Sequence, residues 1–139
     1  MSNLAFFDTN VLVYSDDASS PAKRTRAIAL LTNHMRDNTA VISLQVLQEY
    51  YVIATGKLGV DPELAQRKVE LLTRTRVVSP STSDVITAIE LHRLRKISFW
   101  DAMIVQAARV AGAPVLYSED LQPGSVLAGV RIENPFVTR

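Results

Sequence analysis

The chain has 139 residues, a formal net charge of +1 and 47% hydrophobic residues. That length suits one ordinary domain over residues 1–139, able to bury roughly two-thirds of its unfolded surface. The absence of cysteine excludes a disulfide framework, a thiolate metal site and a cysteine nucleophile, and the near-neutral charge leaves nucleic-acid contacts to local patches.

No basic stretch followed by a long apolar run opens the chain at Met1-Ser2-Asn3-Leu4, so no signal peptide is expected. No apolar run approaches the roughly 20 residues of a bilayer span. A soluble, cytoplasmic protein without a membrane partner is the expectation. The hydrophobic content suits either a large core or an apolar surface kept for a partner or a second copy.

Short apolar runs alternate with longer amphipathic segments, the rhythm of a parallel sheet covered by helices. The first strand is Leu4-Ala5-Phe6-Phe7, ending at Asp8-Thr9-Asn10. Ser20-Pro21 reads as an N-cap with proline at the first helical position, and Ile28, Leu31 and Met35 follow at helical spacing up to Asp37-Asn38. Ala40-Val41-Ile42 is a short strand. Ser43 caps a helix through Leu47, Tyr50 and Ile53, stopped by Gly56 and Gly59. Asp61-Pro62-Glu63 starts the next helix, with Ala65, Val69 and Leu72 as its stripe.

Arg76-Val77-Val78 is a predicted strand. Ser81 and Asp84 resemble a capping box for a helix with Val85, Ile89 and His92 on one face. Ser98 begins a helix whose stretch Ala102 to Ala111 is apolar almost all round, hence buried, and Gly112 ends it. Pro114-Val115-Leu116-Tyr117 is a strand ending at Ser118-Glu119-Asp120, and Val130-Arg131-Ile132 is a predicted edge strand.

Four carboxylates stand out. Asp8 and Asp120 both fall just beyond a buried strand, and open α/β sheets bind ligands beyond the carboxyl ends of their strands. A simple turn role is open to each, because aspartate bonds nearby backbone N–H groups. Asp101 suits a capping box with Ser98, yet it shares a helix face with Ile104, Val105 and Ala108, away from Gln106 and Arg109. Glu49 lies with Gln45 and Gln48 in a narrow polar stripe of an apolar helix, which suits a salt bridge as well as a pocket. Acids gathered in one pocket repel and raise one another's pKa, and a divalent cation relieves this. All-oxygen ligands favour Mg²⁺ or Mn²⁺, which can activate water and stabilise charge on a phosphodiester.

Together these segments resemble the PIN-domain family. The resemblance runs through Asp8-Thr9-Asn10-Val11-Leu12-Val13-Tyr14, Gln48-Glu49-Tyr50-Tyr51, Phe99-Trp100-Asp101-Ala102-Met103-Ile104 and Leu116-Tyr117-Ser118-Glu119-Asp120-Leu121, in order. It implies a three-layer α/β/α fold with a mostly parallel sheet and a Mg²⁺- or Mn²⁺-dependent ribonuclease. Asp8, Glu49, Asp101 and Asp120 would be its catalytic acids and metal ligands, with Asn10 and Ser118 supporting them. Small stand-alone chains of this kind look like VapC toxins, which implies an RNA substrate, a homodimer and a cognate antitoxin. Glu119 departs from the pattern by placing a second acid beside Asp120.

Lys23-Arg24-Arg26 and Arg93-Arg95-Lys96 are the densest basic clusters. The second precedes the Asp101 helix, where it borders the site or simply forms a solvated face. Phe99 and Trp100 suit core packing better than base stacking. The alternatives to a toxin are a housekeeping RNA-processing nuclease and a non-catalytic module binding RNA or protein. A phosphohydrolase of the haloacid-dehalogenase type would want a second aspartate where this chain has Asn10.

Overall fold

The computed structural model describes residues 3–137. The first residues of the Met1–Leu4 segment and the two ends of the 1–139 domain lie outside them. Among the described residues, six strands and six helices follow in the order β1 (Ala5–Phe7), α1 (Thr9–Tyr14), α2 (Pro21–Arg36), β2 (Ala40–Ser43), α3 (Leu44–Gly56), α4 (Pro62–Leu72), β3 (Arg76–Val78), α5 (Thr82–Arg95), α6 (Phe99–Ala111), β4 (Val115–Tyr117), β5 (Val126–Leu127) and β6 (Val130–Glu133).

The strands form one sheet in the order β3-β2-β1-β4-β6-β5. All neighbours are parallel except β5 and β6. From β1 the chain steps through β2 to β3, then returns across the sheet to β4. Right-handed crossovers therefore put α1–α4 on one face and α5–α6 on the other. Packing agrees: α1 contacts both α2 and α3, α3 contacts α4, and α6 lies on β2, β3, β4 and β6. The result is the expected three-layer α/β/α arrangement with a mostly parallel sheet. Between β1 and β4 the direction of winding reverses, and such a switch point opens a crevice beyond the carboxyl ends of the two strands.

Local chemistry sets the element boundaries. Ser43, Ser81 and Ser98 each accept from the backbone N–H three residues on, and Ser81 with Asp84 completes the capping box. Removing one such cap typically costs about 1 kcal/mol. Gly112 ends α6 in the left-handed region at φ 73°. The sheet centre is apolar: Phe6, Phe7, Val41, Ile42, Leu116 and Ile132 are fully buried between the two helical layers.

Several expectations need correction. The short helix α1 was not predicted; Asp8 caps it. In α2 the buried stripe is Ala27, Leu30 and Leu31, while Ile28 is exposed. In α5 Ala88 is the buried residue, and Ile89 and His92 are exposed. Gln106 is buried rather than part of a polar stripe, because its amide donates to Asp84 Oδ1 at 3.0 Å. The strand β6 is interior, not an edge. A two-residue turn, Ala128-Gly129, with both residues at positive φ, folds β5 back to cover it. Among the described residues no helix is long and apolar enough to cross a membrane.

Candidate metal centre

A cleft of about 570 Å³ opens at the switch point, lined by Asp8, Glu49, Asp101 and Asp120 together with Asn10 and Trp100. All four predicted acids thus reach one place, from the end of β1, from α3, from the first turn of α6 and from the loop after β4. Asp101 owes its position to Ser98, whose Oγ accepts from the Asp101 N–H at 3.0 Å and fixes the start of α6.

Asp8 is the buried centre, only 4% exposed. It is both the N-cap of α1 and a wall of the cleft. Its Oδ1 accepts the Thr9 N–H at 2.7 Å, capping α1, and its Oδ2 accepts the Ser118 hydroxyl at 2.7 Å. Burial pushes its pKa from 3.8 to about 7. The bonds from Ser118 and Thr9 oppose that rise, and the charges of Asp120 and Asp101 add to it. Asp101, half-buried, is raised chiefly by burial, with the Ser98 bond opposing and the Asp120 charge adding.

Asn10 and Ser118 hold the pair Asp8 and Asp120 in register. The Asn10 amide donates to Asp120 Oδ2 at 3.0 Å and, more weakly, to Asp8 Oδ2 at 3.4 Å. Its carbonyl accepts the Glu119 N–H at 3.2 Å. Ser118 Oγ in turn accepts the Asp120 N–H at 3.1 Å. Glu119 is turned to other partners, accepting from the Tyr14 hydroxyl and from Lys23 Nζ, each at 2.7 Å. Asp120 is therefore the acid that faces Asp8.

Glu49 is held by residues that the sequence did not single out as supports. Thr9 Oγ1 donates to its Oε1 at 2.8 Å and Gln45 Nε2 reaches the same oxygen at 3.4 Å. The signals were present, since Thr9 follows Asp8 directly and Gln45 lies one helical turn before Glu49. Neither basic cluster lines the cleft. Lys23 is committed to Glu119 and Arg95 donates to the Val126 carbonyl; the lysine on the cleft wall is Lys57. Trp100 is exposed at the rim instead of packing in the core.

Among the described residues, no lysine or arginine forms an ion pair with Asp8, Glu49, Asp101 or Asp120. Nor do any three histidine, aspartate or glutamate side chains stand close enough, as placed, to share one metal. A hard cation that keeps several waters needs only one or two direct carboxylates. The all-oxygen donors and the mutual repulsion felt by Asp8 fit such an ion.

The fold has clear counterparts. The VapC20 toxin of Mycobacterium tuberculosis, which cleaves the sarcin-ricin loop, superposes with a TM-score of 0.69 at 24% identity over 84% of this chain and 89% of that one. A toxin–antitoxin complex from Klebsiella pneumoniae matches with a TM-score of 0.68 at 21% identity, covering 94% and 97%. DNA-bound VapBC from Salmonella typhimurium matches with a TM-score of 0.67 at 22% identity, covering 97% and 99%. Among curated proteins none matches significantly. The family model for the PIN domain matches residues 5–124, from β1 through the loop that carries Ser118 and Asp120. A chain that meets that model over most of its length, and sets its acids where the β1–β4 switch point predicts, belongs to the PIN-domain family.

Proposed function

We propose that this chain is a metal-dependent endoribonuclease and the toxin half of a toxin–antitoxin pair, cutting RNA phosphodiester bonds in the acidic cleft. The observation that carries this reading is Asp8: a buried carboxylate, raised to about 7, facing two further acids with no fixed cation. Evolution of a fold toward stability alone would pair or remove such a group.

Asp8, Asp101 and Asp120, with Glu49, would hold Mg²⁺ or Mn²⁺, which would supply charge stabilisation at the phosphoryl oxygens and a more acidic bound water. The chain's own residues do the positioning. Ser118 and Asn10 orient Asp8 and Asp120 by the bonds described above. Both bonds to Glu49 fall on Oε1, leaving Oε2 as the acceptor that would orient an attacking water. Lys57 on the cleft wall offers a phosphate contact.

The toxin role and the cognate antitoxin draw support from the toxins and complexes that share the fold, and cytoplasmic action is proposed with them. A homodimer and an antitoxin both need apolar surface. The groove between α3 and α4 supplies it, with Leu44, Tyr51 and Val52 exposed around Leu47 and Val69. The whole of residues 1–139 is proposed as one domain.

The test is incubation of purified, antitoxin-free protein with total RNA in Mg²⁺, in Mn²⁺ and in EDTA, beside Asp8→Asn. Discrete cuts that vanish with EDTA and with the variant are the expected result. RNA left equally intact by wild type and variant, with RNA or a protein partner still bound, replaces the nuclease by a binding module. A housekeeping nuclease would cut RNA yet have no small inhibitory protein encoded beside it.

A further inference from the structure

Trp100 is 62% exposed, yet it sits beside Asp101 on the rim of the acidic cleft. Its backbone and its ring are both held. The Trp100 carbonyl accepts from Gln45 Nε2 at 3.3 Å, the same amide that reaches Glu49. Its indole meets Phe99 edge to face, 5.0 Å between centroids and 70° between planes. Phe99 itself packs against Ala88, Ala102 and Met103 under α5. Asp101 and Ile104 line the cleft while Phe99 turns to α5, so Trp100 lies between the two faces of the helix start. The chain thus keeps a large, pre-positioned aromatic surface open to water beside its most charged site.

We propose that Trp100 is a stacking platform for a nucleobase of the RNA strand, next to the phosphate that enters the cleft. This rests on the nuclease reading above. A cleft walled by Asp8, Glu49, Asp101 and Asp120 repels a polyanion, and Lys57 is a single counterweight. Stacking supplies attraction that is not electrostatic, and every base has a π-face to offer. Single-stranded RNA, with its bases splayed, is the form of substrate that such a platform selects. A paired strand hides those faces.

Trp100 is the single tryptophan of the chain, so intrinsic emission reports on it alone. A short single-stranded oligoribonucleotide is titrated into Asp8→Asn protein while emission and the polarisation of labelled RNA are followed. Emission is expected to be quenched with the same midpoint as the polarisation change. Trp100→Ala is expected to bind about tenfold more weakly and Trp100→Phe to regain most of that loss. The salt dependence of binding stays unchanged in both, because no phosphate contact is removed. In the cleaving protein, Trp100→Ala raises KM by a similar factor with little change in kcat. Bound or cut RNA with unaltered emission and an unaltered KM in Trp100→Ala overturns the platform and leaves the nuclease standing. Emission that follows protein concentration instead of RNA assigns the indole to a contact between copies and also overturns it. No binding and no cleavage by the wild type removes the nuclease reading and the platform with it.

Discussion

Glu119 and Asp120 are neighbours on one loop and are treated in opposite ways. Glu119 takes a hydrogen bond from Tyr14 and an ion pair from Lys23. Burial pushes its carboxyl up, but those two partners outweigh it and leave the group below its ordinary value. Asp120 has the neutral Asn10 amide as its side-chain partner, and its charge bears on Asp8 and Asp101. The same division recurs further off. Asp16, just beyond α1, is held by Lys68 at 3.2 Å and by the Tyr50 hydroxyl. Glu119 and Asp16, each tying elements together, receive a fixed lysine. Asp8, Glu49 and Asp120 receive neutral donors instead, so the repulsion between Asp8 and Asp120 is left uncompensated by any fixed side-chain cation among the described residues.

Substitutions across this divide should separate by orders of magnitude. Asp120→Asn is expected to lower RNA cleavage by about a thousandfold or more, while Glu119→Gln stays within about fivefold of wild type. Equal losses in cleavage assays of the purified variants would erase the distinction.

The next effect is on stability. The Asp8 carboxyl sits at about 7 in the folded chain against 3.8 as a free side chain. Between those values the folded state binds the extra proton. Asp8 therefore costs nothing below about pH 4, costs progressively more as pH rises, and levels off above about pH 7. The cost reaches up to roughly 4 kcal/mol at 1.36 kcal/mol for each pKa unit. In metal-free buffer, Asp8→Asn should melt closer to wild type at pH 5 and clearly above it at pH 8. Added Mg²⁺ should raise the wild-type melting temperature more at pH 8 than at pH 5, and have little effect on the variant. A variant that melts below wild type at pH 8 in EDTA would contradict the picture of a frustrated acid.

A smaller effect is expected at Ser118, which is fully buried between the two aspartates. Ser118→Ala removes the donor to Asp8 Oδ2 and the acceptor for the Asp120 N–H. It should destabilise the protein by about 1–2 kcal/mol in chemical denaturation and move the Asp8 titration upward in carboxyl NMR. The smallest change belongs to Lys23→Met. Its ion pair is partly exposed, so the melting temperature should fall by no more than a few degrees and cleavage should persist.

Much of this molecule was legible in the residues. Ser43, Asp61, Ser81 and Ser98 announced their helices because capping is chemistry between near neighbours in the chain, whereas Ser20 makes no capping side-chain bond and Pro21 at the first turn marks the start of α2. The short helix α1 escaped because its six residues follow Asp8 without a separate cap, and the residue already singled out as a candidate site acid is itself the cap. The strand β5 escaped because two residues carry no periodicity.

Local chemistry along the chain specifies which acids exist, their order, and the strand ends and helix starts that carry them. Tertiary structure decided which of them meet. Asn10 reaches Asp120 across 110 positions of sequence, and Lys23 draws Glu119 aside across 96. Neither partner lies within any local window. Trp100 shows the same limit, because hydrophobicity predicts burial only on average, whereas the packing of α6 left this indole on the rim. Local propensities set each element. The long-range order of the sheet, reversing between β1 and β4, set the site.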